Sequence, residues 1–159
     1  MVLNVRLSTI NKNDFINGEG VSVSLWMQGC PHRCPGCHNP ELWNYNGGVE
    51  KTIDEVLKEI YAAISANNIQ RNFSVLGGEP LCPENIEDVI QIIKNVKASF
   101  PNIKVFIWTG YNLDELKNKE IFEYTDVLIT GRYIQALRDI TLKWRGSSNQ
   151  KILYKGIDY

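Results

Sequence analysis

The sequence predicts an α/β fold built as a partial, open (β/α) barrel with a mostly parallel sheet. Three observations point there. Strand-like and helix-like segments alternate along the chain, which is the pattern of parallel strands joined by crossover helices. Each of the first four predicted strands runs into a glycine-bearing loop, at Gly29, Gly77-Gly78, Gly110 and Gly131. The chain has 159 residues, whereas a closed eight-stranded barrel takes ~250.

The elements follow in order. Val21 to Gln28 alternates Val21, Val23, Leu25 and Met27 with Ser22, Ser24, Trp26 and Gln28, a period-two strand after the Asn17-Gly18 turn signal. Thr52-Ile53-Asp54-Glu55 has the spacing of a capping box and opens a helix to about Ala66, with Ile53, Val56, Leu57, Ile60 and Ile64 as its apolar stripe. Phe73 to Leu76 is a second strand. A second helix over Asn85–Ser99 carries Ile86, Val89, Ile90, Ile93 and Val96 and stops before Pro101-Asn102. Lys104–Trp108 and Asp126–Thr130 are strands, with a short helix over Leu113–Asn118 between them. In the tail, Tyr133–Asp139 reads as a short helix and Lys151–Tyr154 as a last strand. No linker or repeat divides the chain, so residues 1–159 are expected to form one domain, with 131–159 available for docking a partner.

Composition removes several classes. Hydrophobic residues make up 43% and charged residues 22%, and the net charge is -1 without a basic run. A binder of nucleic-acid backbone would carry a basic stripe. No apolar run approaches the ~18 residues of a membrane span. The N-terminus from Met1 to Arg6 lacks a signal-peptide pattern. A cytoplasmic location is therefore expected, and there clustered cysteines read as metal ligands or catalytic thiols rather than disulfides.

The chemistry concentrates in Cys30-Pro31-His32-Arg33-Cys34-Pro35-Gly36-Cys37. Cysteines spaced x3 and x2 in one loop supply three thiolates. A cubane cluster has four irons, each normally bound to one thiolate, so three leave one iron open to a small molecule. Other readings compete. Zinc could take the three cysteines with His32 or His38. Cys34 and Cys37 have the spacing of a redox disulfide. Cys82, on the rim after the second strand, could be a distant fourth ligand and close the cluster into an electron carrier. Next on that rim is Gly77-Gly78-Glu79-Pro80, where glycines bare the backbone and Glu79 offers a carboxylate suited to an amine. His32 and Arg33 read equally well as solvated loop residues.

Taken together, the cysteine spacing after the first strand and the Gly-Gly-Glu-Pro run after the second resemble the radical S-adenosylmethionine enzymes. Asn17-Gly18-Glu19-Gly20, Gly36-Cys37-His38-Asn39, Trp108-Thr109-Gly110-Tyr111, Gly131-Arg132-Tyr133 and Trp144-Arg145-Gly146-Ser147-Ser148-Asn149-Gln150 narrow the resemblance to the small glycyl-radical activases, over roughly residues 14–150. The resemblance implies a [4Fe-4S] cluster on Cys30, Cys34 and Cys37. It implies S-adenosyl-L-methionine held by Gly36, Cys37, His38, Gly78 and Glu79. Reductive cleavage of that cofactor would yield a 5′-deoxyadenosyl radical that removes hydrogen from a backbone glycine. The implied partners are an anaerobic ribonucleoside-triphosphate reductase and a low-potential electron donor such as flavodoxin. Gly36 stands where the wider superfamily often has an aromatic residue packing on adenine, which leaves His38 and Trp108 as candidates for that contact. Arg132, Arg138, Trp144 and Arg145 read as a docking surface, because Trp and Arg are enriched at interface hot spots. A small radical enzyme acting on a metabolite, of the deazapurine-forming type, and a non-enzymatic iron–sulfur or zinc module are the remaining alternatives.

Overall fold

The computed structural model describes residues 4–159; the expected absence of a signal-peptide pattern from Met1 to Arg6 falls partly on Met1–Leu3, outside the described residues. Among the described residues seven strands form one sheet: β1 (Asn4–Asp14), β2 (Val21–Met27), β3 (Val49–Thr52), β4 (Arg71–Gly77), β5 (Val105–Trp108), β6 (Val127–Thr130) and β7 (Lys151–Tyr154). Their spatial order is β3-β1-β2-β4-β5-β6-β7. The pairs β2–β4, β4–β5 and β5–β6 are parallel, so β2, β4, β5 and β6 form the expected parallel centre. Antiparallel strands flank it, β1 and β3 on one side and β7 on the other. Among the described residues no pairing joins β3 to β7, so the barrel is open.

Helices α1 (Ile53–Ile64) and α2 (Ile86–Ser99) cover one face. Thr52 caps α1 by accepting from the Glu55 amide at 3.1 Å, and its hydroxyl donates to the Glu55 carboxyl at 3.1 Å. Val56, Ile60, Val89, Ile93 and Val96 bury the helix stripes against Val23, Leu25, Met27, Phe73, Val75, Val105, Ile107 and Leu128. Period-two alternation then sends Phe106, Val127 and Ile129 to the opposite face, where Trp108, Trp144 and Ile152 cover them. On that inner face β2 and β4 carry the fully buried Ser22, Ser24 and Ser74. These small side chains leave room for the loop after β1, and Ser74 Oγ donates to the Asn17 carbonyl at 2.7 Å. Ile93 has no solvent exposure. Ile93→Ala is expected to cost ~2–5 kcal/mol by leaving a cavity, read as a lower urea midpoint of the iron-free protein with an unchanged slope.

Two expected helices differ. Leu113–Glu115 is one 3₁₀ turn, and the helix of this region is α3 (Glu120–Tyr124). Leu116 leaves the turn in an extended conformation, and the Asn118 side chain starts the next helix by accepting from the Glu120 amide at 3.1 Å. Over 133–139 only Gln135–Leu137 turns, again as 3₁₀. Helical bonding is pre-empted there: the Ile134 amide donates to Ser147 Oγ, the Asp139 amide to the Gly146 carbonyl, and the Leu137 carbonyl accepts from the Ser148 amide.

Candidate functional site

The C-terminal ends of the four parallel strands meet on one rim, where β/α folds place their chemistry. A cavity of about 200 Å³ lies there, lined by Cys30, Cys34, Cys37, Gly77–Glu79, Trp108–Gly110, Gly131, Tyr133 and Gln150. All four glycine loops converge, with Gly29 adjoining Cys30. A larger hollow of about 320 Å³ sits at the opposite ends of the strands against Phe100 and Ile103 and has no thiol.

Backbone bonds carry the cysteine loop off β2. The Gly29 and Cys30 amides donate to the Leu42 and Trp43 carbonyls at 2.8 and 3.2 Å, so the returning segment extends the ladder. Gln28 Nε2 donates to the Glu41 and Asn44 carbonyls and holds the return in place. The Glu79 amide donates to the Gly29 carbonyl at 2.8 Å, joining the first cysteine to the Gly-Gly-Glu-Pro run. Gly78 is glycine for close approach, since a Cβ would stand 2.4 Å from the Gly29 oxygen. Between the first two cysteines, Arg33 adopts φ 49°, a left-handed conformation rare outside glycine. Its guanidinium lies 5.8 Å from the centre of the Trp43 ring.

All four cysteines are free thiols. Burial pushes Cys30 up to about 11. Burial also raises Cys34, opposed by the backbone amide of Tyr133 and the charge of Arg132. Protonated thiols must release protons to bind metal. Three thiols from one loop line one cavity. Cys82 does not join them. It is fully buried behind the rim, where its thiol donates to the Glu79 carbonyl at 3.2 Å and receives the Tyr45 hydroxyl at 3.8 Å. Among the described residues no three His, Cys, Asp or Glu side chains are grouped as the ligands of a single ion would be.

Glu79, expected to offer its carboxylate to an amine, has that carboxylate engaged within the protein. The residue has no solvent exposure. One carboxyl oxygen accepts from the Leu81 amide at 2.8 Å and Thr109 Oγ1 at 2.7 Å. The other accepts from the Gly110 amide at 2.6 Å and lies 2.7 Å from His32 Nε2. The carboxyl group therefore ties β4, the loop after β5 and the cysteine loop together. His32 is a buried member of the site and not a solvated loop residue. Its side chain is 6% exposed and meets Tyr111 edge-on, ring centres 4.6 Å apart.

Of the remaining expected cofactor contacts, Cys37 and Gly78 line the cavity, while Gly36 and His38 sit beside it under the tail. A Cβ on Gly36, whose φ is 78°, would come 2.6 Å from the Gln135 side chain. The His38 ring lies 5.3 Å from that of Tyr133. Trp108 walls the cavity and donates through Nε1 to the Trp144 carbonyl at 2.8 Å. Sequence reasoning gave no role to Thr109 and assigned Tyr133 and Gln150 only to motifs. Only contacts between residues distant in sequence reveal what these side chains do.

Comparison with known proteins agrees with this geometry. The model of the 4Fe-4S single cluster domain family matches residues 16–153. The anaerobic ribonucleoside-triphosphate reductase-activating protein of Salmonella typhimurium is 38% identical over 142 residues, covering 87% of this chain and 92% of the relative. The protein of the same name from Enterobacteria phage T4 is 40% identical over 139 residues, 87% of each chain. That from Pasteurella multocida is 38% identical over 152 residues, 92% of this chain and 94% of the relative. A family model matching residues 16–153, with relatives 38–40% identical over 87–92% of the chain, has one reading: this chain belongs to the 4Fe-4S single cluster domain family and, within it, to the anaerobic ribonucleoside-triphosphate reductase-activating proteins.

Proposed function

We propose that this chain is an oxidoreductase that activates an anaerobic ribonucleoside-triphosphate reductase by generating its glycyl radical. The observation that carries the reading is a rim cavity with thiols from Cys30, Cys34 and Cys37 while the remaining cysteine is turned inward. Those three residues would hold a [4Fe-4S] cluster with one iron left for S-adenosyl-L-methionine. A cluster held there would supply the electron for reductive cleavage of S-adenosylmethionine, the chemistry by which hydrogen would be taken from the partner's glycine. The chain's own part is placement and exclusion of water. Gly78 offers bare backbone beside the thiols, with Gly36, Cys37 and His38 on the neighbouring loop. Glu79 acts through the backbone it fixes, and Trp108 supplies the aromatic wall for adenine.

Residues 1–159 act as one domain in this reading, and part of 131–159 receives the reductase. Ile134, Leu137 and Ile140 are 42%, 43% and 84% exposed, an apolar strip next to the rim, with Arg138 and Lys143 alongside. Ile140→Asp is expected to slow activation of the reductase about tenfold or more, with uncoupled cofactor cleavage unchanged. Equal losses in the two assays would remove the strip from docking. A low-potential donor such as flavodoxin would reduce the cluster. The free thiols suit the reducing cytoplasm, and among the described residues no helix is long and apolar enough to cross a membrane.

The deciding experiment is anaerobic reconstitution followed by EPR. The reduced protein should give a cluster signal that changes on adding S-adenosylmethionine. With the reductase added, a glycyl-radical doublet should appear on the partner. A cluster signal indifferent to S-adenosylmethionine, or zinc in place of iron and sulfide, would overturn the reading.

A further inference from the structure

The tail motif Trp144–Gln150 has no role in the proposal so far, yet its side chains converge on one short segment of the rim. Gln150 Nε2 donates to the Gly131 carbonyl at 2.9 Å. Asn149 Nδ2 donates to the Arg132 carbonyl at 2.7 Å. Ser147 Oγ, fully buried, accepts from the Ile134 amide at 3.1 Å. Three side chains of one motif thus hold the backbone of residues 131, 132 and 134. The motif is itself closed into a turn, because Gln150 Oε1 accepts from the Gly146 and Ser147 amides at 2.8 and 3.1 Å. Trp144 pins its start, accepting from Trp108 Nε1 and packing edge-on against Phe106 with ring centres 5.2 Å apart.

The held segment leans on the cysteine loop. Tyr133 meets His38, Gln135 fills the space over Gly36, and Tyr133 and Gln150 line the thiol cavity. Arg132 is anchored outward by a two-pronged pair with Glu115, both contacts at 3.0 Å. Asn149 is held at a cost: its Oδ1 is buried without a partner, a defect that native structures rarely carry without a reason. The hydrogen bond from its Nδ2 to the Arg132 carbonyl supplies one.

We propose that Ser147, Asn149 and Gln150 are positioning residues, a side-chain clamp that holds the 131–134 backbone against the cysteine loop and so fixes the wall of the cavity at Cys34. The proposal rests on the function inferred above for its consequence, but the clamp itself is a property of the iron-free chain. Tyr133 and Cys34 line the same cavity. Hydrogen bonding and solvent exposure around its sulfurs set the potential of a cluster. Releasing the clamp should shift it.

Asn149→Ala and Gln150→Ala test this. In the iron-free protein, the amides of 132–135 should exchange with deuterium roughly tenfold faster or more than in the parent. Amides of β2, β4 and β5 should keep the parent rate. Asn149→Ala deletes an orphaned acceptor together with its donor, so its urea midpoint should stay near that of the parent. After reconstitution both variants should bind the parent's complement of iron, show a shifted midpoint potential, and give an altered EPR change on adding S-adenosylmethionine. Unchanged exchange at 132–135 would overturn the clamp. Faster exchange with the parent's potential and spectrum would reduce the motif to fold support and overturn its role at the site. If Gln150→Ala does not fold, Asn149→Ala decides by the same readings. Absence of iron from the parent would sink the proposed function and leave the exchange result standing.

Discussion

Cys34→Ala is expected to lose its cluster and all activation of the reductase while keeping its fold. Two thiols cannot seat a cubane that already lacks a fourth, so iron and sulfide should fall to background. The fold does not depend on the metal. The helix-covered core runs from Val5 to Leu128 without using any of the three loop cysteines. Cys34 is only partly buried on a loop, so its truncation should move stability by about 1 kcal/mol or less. Iron and sulfide analysis, with denaturation of the iron-free protein, reads both halves. A Cys34→Ala protein that still activates the reductase would remove this thiol from the ligand set. Cys82→Ala is the matched control. Cys82 is fully buried against the Glu79 carbonyl and Tyr45, so its loss should cost ~1–2 kcal/mol of packing and leave the iron in place. Iron loss from Cys82→Ala would instead make it the closing ligand.

The parallel centre and the thiol loop were legible because both are local. In β2, Val23, Leu25 and Met27 alternate with small or amphipathic residues, and that period survives folding unchanged. The cysteines need only each other's spacing. Of the flanking strands, β7 forms over Lys151–Tyr154 as expected, whereas β1 and β3 left no such trace. Of the eleven residues of β1, Val5, Leu7 and Asp14 are buried, and Asn11, Lys12 and Asn13 are polar and exposed. The four-residue β3 holds Glu50 and Lys51 at the sheet edge and forms because β1 offers a partner. Nor does local pattern reveal that His32 belongs to Glu79, 47 residues away in sequence. The tail failed as a helix prediction for a related reason. Ser147 and the backbone around it take the hydrogen bonds that residues 133–139 would have used among themselves.

The largest loss of stability from one substitution on the rim is expected at Glu79. Glu79→Ala would leave the Leu81 and Gly110 amides, the Thr109 hydroxyl and His32 facing an empty, buried space. Deleting one member of such a network costs ~3–5 kcal/mol, because the stranded partners lose water as well as their bond. Glu79→Gln should cost less, about 1–3 kcal/mol. The amide keeps one accepting oxygen, but its NH₂ group must face the N–H of Gly110 or that of Leu81. The expected order of urea midpoints for the iron-free protein is therefore parent, Gln, Ala. If Glu79 served mainly to receive the amine of the cofactor, the three midpoints would nearly coincide and only cofactor affinity would fall. His32→Ala separates the two roles further. It removes one contact of the carboxyl group and leaves the other three, so it should destabilise by about 1–2 kcal/mol and loosen the first cysteine gap while the protein stays folded. Weaker S-adenosylmethionine binding in His32→Ala at full iron content would mean that the knot governs the cofactor through the geometry of the loop. An unchanged affinity and an unchanged midpoint would mean that the contact between His32 and Glu79 contributes to neither.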